Sequence, residues 1–113
     1  MKTIDQLIAN DIRPVIGDTV ATYRWSDAAL MAYASQGRRI IAAKAPHSLY
    51  TDSVRYTEDV SDDYAAGDEL GLVESFHDAL ASYVIFRALA ETKLAGDNQT
   101  AALHKQIFQE AVG

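Results

Sequence analysis

The segment DALASYVIFRALAETKLAGDN, Asp78 to Asn98, most constrains what this chain can become. Between Ala79 and Ala90 only Ser82 and Arg87 are plainly polar. A helix over this stretch is apolar almost all the way round, so it has to be enclosed. Either the other helices of the chain wrap it, or copies of the protein do. A chain of 113 residues builds one modest core. The expectation is therefore that part of this helix is shared with a neighbouring subunit.

The rest of the chain reads as further helices. Thr3-Ile4-Asp5-Gln6 has the form of a capping box. Ile4, Leu7, Ile8 and Ile12 follow at helical spacing. Pro14 should end this first helix, because a proline disfavours α geometry in the residue before it. Residues 15–25 read as an extended linker. Ser26 or Asp27 can cap a second helix over about 27–44, with Leu30, Tyr33, Ala34, Gly37, Ile40 and Ile41 as its apolar stripe. Arg38, Arg39 and Lys44 lie in its later half, where cations complement the helix dipole, and Ala45-Pro46 stops it. A third helix is expected from about Val73 to Ala95, with Gly96 as a left-handed C-cap. A fourth covers about Gln99 to Val112, with Leu103, Ile107, Phe108 and Ala111 on one face. Residues 47–71 fit neither period well. They read as an irregular acidic loop, with room for a short β-hairpin around SVRYTEDV. The expected architecture is a single all-α domain over 1–113: a small bundle of about four helices with this one excursion.

Composition excludes several classes. The chain is 49% hydrophobic and 23% charged, ordinary for a folded domain. Its formal charge of -6 makes it a poor candidate for neutralising nucleic-acid phosphates. It has no cysteine, hence no disulfide framework and no thiolate metal site. The first residues, MKTIDQLIANDIRP, carry acids and no apolar core, so no signal peptide is expected. No run approaches a membrane span, and a cytosolic chain is expected.

Few constellations suggest chemistry. His77-Asp78 is a pair used by metal-dependent phosphohydrolases, which also need a distant His such as His47 or His104. The preferred reading of the pair is a solvated first turn of a helix, since a two-residue match arises easily by accident. The acidic run contains Glu58, Asp59, Asp62, Asp63, Asp68 and Glu69 but lacks the spacing of a calcium loop. Neither a phosphate-cradling glycine loop nor a nucleophile elbow occurs. No catalytic residue, metal or cofactor is expected. Tyr23-Arg24-Trp25 forms an aromatic and cationic cluster, for which packing on the second helix is the preferred role. Arg87 needs an acidic partner, on this chain or another subunit, or must reach solvent along its stem.

Two segments resemble a known family. Tyr23–Ser48, through Trp25, Ser26, Asp27, Leu30, Tyr33, Arg39 and Pro46, resembles the opening segment of tailed-phage head-to-tail connector (adaptor) proteins. Ala79–Phe108, through Leu80, Tyr83, Val84, Arg87, Ala88, Gly96, Asn98, His104 and Phe108, is similar to their closing segment. Longer members carry a β-rich insertion between the two, where this chain has only residues 47–71. The resemblance implies a non-enzymatic virion protein at the head–tail junction, assembled in the host cytoplasm. Its copies would form a ring, commonly of about twelve subunits, beneath the portal. That ring extends the DNA channel, lets duplex DNA pass without specific binding, and offers a platform to a tail or tail-nozzle protein. Candidate subunit contacts are then Trp25, Arg38, Arg39, Tyr83, Phe86 and Arg87. Candidate portal contacts are Leu103, Ile107, Phe108 and Val112. An acidic channel wall would repel DNA evenly, so Glu58, Asp59, Asp62, Asp63, Asp68 and Glu69 are candidates to face the channel. Two alternatives belong to other classes: a small regulatory bundle dimerising through the third helix, and the metal-dependent phosphohydrolase.

Overall fold

A computed structural model of the chain describes residues 2–16, 25–50, 55–56, 63–90 and 95–112. Among these the fold is all-α, with four helices and no strand.

The first helix, α1, has three parts: an α-helical turn Ile4–Gln6, a π-helical stretch Leu7–Ile12, and a closing turn Arg13–Ile16. Thr3 opens it with the expected capping box. The Thr3 hydroxyl accepts from the Gln6 N–H at 3.3 Å, and the Gln6 side chain accepts from the Thr3 N–H at 3.0 Å. Pro14 does not end the helix, contrary to expectation. Proline normally lacks the needed N–H and collides with the carbonyl four residues back. Here the preceding turns widen, and the Arg13 N–H bonds to the Ile8 carbonyl, five residues back. The wide turn accommodates the ring, and Arg13 keeps helical geometry at φ -57°, ψ -42°. Ile4, Leu7, Ile8, Ile12 and Ile16 all point into the core.

Helix α2 spans Asp27–Lys44, and the Ser26 hydroxyl accepts from the Ala29 N–H at 3.1 Å to cap it. Leu30, Ala34, Gly37 and Ile41 are buried, and Tyr33 and Ile40 pack partly against the core. Pro46 then begins a 3-10 turn, Pro46–Leu49. The expected linker at 15–25 falls mostly outside the described residues.

Of the expected hairpin segment SVRYTEDV only Arg55 and Tyr56 are among the described residues, and the rest lies outside them. The described part of 47–71 contains an isolated antiparallel bridge, Tyr50 to Arg55, beside a bond from the Tyr56 N–H to the Leu49 carbonyl at 2.7 Å. Its later part is tied to distant elements. The Ile4 N–H reaches the Asp68 carbonyl at 2.8 Å, and the Val73 N–H reaches the Ser48 carbonyl at 2.7 Å. The Tyr64 N–H donates to the Ser35 hydroxyl at 2.9 Å, while the buried Tyr64 hydroxyl donates to the Leu70 carbonyl.

A 3-10 turn, Glu74–Phe76, leads into α3, His77–Ala90, and α4 runs Ala95–Val112. The expected C-cap at Gly96 is not there, since Gly96 lies in the first turn of α4. Amides in a first helical turn lack intrahelical partners in any case, so a glycine is readily accommodated.

Helix α3 is the centre of the bundle and packs against α1, α2 and α4. Ala79 through Ile85 are all buried, as are Ala88 and Leu89. The chain's own helices therefore enclose the apolar segment that seemed to require a neighbouring copy. Burying each large aliphatic side chain contributes about 1.5–3 kcal/mol. Leu80 and Val84, at 0% exposure, have that full burial within one subunit.

Candidate interaction surfaces

The two sides of α4 have different chemistry. Ala101, Phe108 and Val112 face inward and are buried. The Phe108 ring lies 4.9 Å from the ring of Tyr83 on α3. His104 Nδ1 stands 3.3 Å from the Ser82 hydroxyl, and partial burial lowers the His104 pKa. Lys105 lies over the Phe86 ring at 5.6 Å. Leu103 and Ile107 point outward, 55% and 39% exposed. Four expected portal contacts thus divide into two groups. Phe108 and Val112 attach α4 to its own subunit, while Leu103 and Ile107 remain on the outer surface one turn apart.

The candidate subunit contacts also divide. Trp25 and Tyr83 are buried in the chain's own core. The Trp25 carbonyl accepts from Arg13 Nη1 at 3.1 Å. Arg87 has neutral partners within the subunit. Its Nη1 donates to Gln36 Oε1 at 2.9 Å and to the Tyr83 hydroxyl at 3.1 Å, and its guanidinium lies 5.2 Å from the centre of the Tyr33 ring. Acceptors and ring faces replace the carboxylate that a buried arginine would otherwise require. Arg38 sits over the Tyr64 ring at 5.5 Å, and its Nε is buried without a hydrogen-bond partner. Phe86 stays partly exposed beside α4, with its ring 6.2 Å from that of Tyr83.

Of the acidic candidates, Glu58, Asp59 and Asp62 lie outside the described residues. Asp63 pairs with Arg39 at 2.5 Å, at the surface. The Asp68 carboxylate accepts from the Ala65 N–H at 2.8 Å and organises the turn that includes Gly67. Glu69 is exposed and its backbone bridges to Thr3. Burial pushes the Tyr64 hydroxyl well above its usual pKa, with Arg38 opposing and Asp68 reinforcing the shift.

His77 and Asp78 do not converge with another histidine. His77 Nε2 lies 2.9 Å from the Leu72 carbonyl, an acceptor, so that nitrogen carries the proton. The His47 ring packs edge-on against Phe76 at 5.3 Å. No group of three or more metal-ligating side chains occurs among the described residues. Nor is any helix among them long and apolar enough to cross a membrane.

One feature had no sequence signature. Arg39, Ala42, Ala43, Pro46, Leu49, Tyr50, Arg55 and Tyr56 line a cavity of about 420 Å³. It combines the end of α2, the 3-10 turn after it, and the Tyr50–Arg55 bridge. Arg39 and Arg55 are too far apart in sequence for any helical or strand period to link them.

Together these features define a small all-α domain with an enclosed central helix, an apolar pair on its last helix, and a cleft with two arginines in its lining beyond its second. No known protein family, curated protein or solved structure matches the chain.

Proposed function

We propose that this chain is a structural assembly protein, a head-to-tail adaptor that docks beneath a phage portal and carries the tail platform. The observation that carries the proposal is the outward pair Leu103 and Ile107 on α4. Large apolar side chains one turn apart on an exposed helix face form a natural anchor for a groove in a partner. They occupy the helix to which the family resemblance assigns the portal contact. The segments bearing that resemblance correspond to α2 with its cap and to the α3–α4 pair, two packed units of the bundle.

The enclosed α3 changes how association is expected to work. The free subunit has a core of its own, so copies would come together through surface contacts once docked. Glu69, with Glu58, Asp59 and Asp62, remains the candidate set for a channel wall. Asp63 and Asp68 already have partners in the subunit.

The proposal is tested by imaging particles assembled with wild-type protein or with the double variant Leu103→Glu, Ile107→Glu. Glutamate supports helix well, so the variant should fold. Wild-type protein should appear as a ring at the portal vertex, and the folded variant should be absent from it. A particle that completes its head–tail junction without this chain would refute the adaptor role. Light scattering distinguishes the alternative: a stable dimer of the free chain at micromolar concentration, unaffected by the double variant, would favour a small regulatory bundle that pairs through α3.

A further inference from the structure

We propose that the cleft beyond α2 is a second docking site, which receives a carboxylate-bearing peptide segment of a partner protein. The proposal does not depend on the adaptor reading. None of the cleft's lining residues lies on α4.

Charge supplies the first reason. The chain has 16 acids against 10 Lys and Arg. Among its described arginines, Arg13 is buried, and Arg38 and Arg87 are held against tyrosine rings. Arg39 and Arg55 line one cavity, with Arg39 paired to Asp63 and Arg55 lying over the Tyr50 ring. Two arginines lining one cavity stand out in a chain of formal charge -6, and a planar carboxylate is the best-matched ligand for a guanidinium.

Asp63 supplies the second. Its carboxylate already pairs with Arg39 at 2.5 Å, which shows that this guanidinium is open to a carboxylate. The side chains are 36% and 69% exposed, respectively. A solvent-exposed pair of this kind is weak and can exchange partners. An incoming carboxylate that engages Arg39 and Arg55 together would have an advantage over Asp63.

The lining supplies the third. Ala42, Pro46 and Leu49 give the cavity apolar walls, and Tyr50, 48% exposed, carries Arg55 at 5.4 Å from its ring centre. A volume of about 420 Å³ suits a few peptide side chains. Apolar walls beside paired cations suit an acidic residue flanked by aliphatic ones. They give a bare anion nothing beyond charge, and the chain's overall charge opposes a polyphosphate backbone.

The test uses the full chain, uniformly labelled with nitrogen-15. It is titrated with acetyl-Leu-Glu-Leu-amide, with acetyl-Leu-Gln-Leu-amide, and with inorganic phosphate. The Glu peptide should shift the Arg39 and Arg55 side-chain signals and the Ala42, Ala43 and Leu49 amides in a saturable way. The Gln peptide should bind about tenfold more weakly, the loss expected for a charge-assisted hydrogen bond. Arg55→Gln should weaken the Glu peptide similarly. Ala43→Glu, at an exposed helical position, should abolish binding while leaving signals remote from the cleft unchanged. Equal binding of both peptides would overturn the proposal. So would phosphate reproducing the Glu-peptide shifts, or unaltered binding in both variants.

Discussion

Arg38 occupies the space that a side chain at Gly71 would need: a Cβ built there would lie 2.5 Å from Arg38 Nη2 and 2.9 Å from its Cζ. The guanidinium passes over this glycine and above the Tyr64 ring. Helix α2 is thereby joined to the segment that leads into α3. Gly71 also has φ +68°, a conformation that disfavours any side chain.

Gly71→Ala should therefore destabilise the fold by about 1–3 kcal/mol, through backbone strain and displacement of Arg38. Urea denaturation measures this, and an unchanged midpoint would show that the glycine is dispensable.

Gly37→Ala tests a different constraint. Alanine in a helix interior normally gains about 1 kcal/mol over glycine. Here its Cβ would lie 2.7 Å from Tyr83 Cδ1 and 3.0 Å from Leu80 Cδ1, both on buried side chains of α3. Overpacking costs about 1–3 kcal/mol, so a net loss near 1 kcal/mol is expected. A stabilised variant in thermal melts would show that α2 and α3 can move apart.

Arg13 and Asp27 should respond unequally to truncation although they share a 2.5 Å ion pair. The Arg13 side chain is 6% exposed and also donates to the Trp25 carbonyl, whereas the Asp27 side chain is 63% exposed. Arg13→Ala should cost about 2–4 kcal/mol, since it empties core volume and leaves the buried Trp25 carbonyl without its donor. Asp27→Asn should cost about 1 kcal/mol or less. Equal losses in parallel denaturation curves would contradict this asymmetry.

His104 should make stability depend on pH. Its folded pKa lies below the ordinary 6.5 because burial disfavours the imidazolium. A depressed folded value means that the unfolded chain binds the proton more readily. This contribution is fully present above 6.5 and is lost as pH falls through that value towards the folded pKa. His104→Gln should flatten the stability profile over that window relative to wild type. Parallel profiles for the two proteins would remove His104 as the cause.

Local signals in the sequence were reliable where their partners lie within a turn. Thr3 and Gln6 form their capping box, Ser26 caps α2, and α2 ends just before Pro46. The buried positions Ile4, Leu7, Ile8 and Ile12 follow directly from helical spacing. The same local logic failed at Pro14 and Gly96. At Pro14, π-helical turns absorb the proline ring, and at Gly96 a new helix has already begun.

The interaction surfaces were less legible. Spacing put Leu103, Ile107 and Phe108 on one face of α4, but the packing of Phe108 on Tyr83 turns that helix so that Leu103 and Ile107 point out. Arg39 pairs with Asp63 and shares a cavity lining with Arg55, and both relationships join residues distant in sequence.

The sequence by itself determined four helices and the apolar positions within them, because helix periodicity and capping act over three or four residues. Only the tertiary structure decided that α3 is enclosed by its own chain and which side of α4 faces outward. Those outcomes depend on how helices far apart in sequence pack, and amphipathic spacing does not encode the rotation of one helix against another.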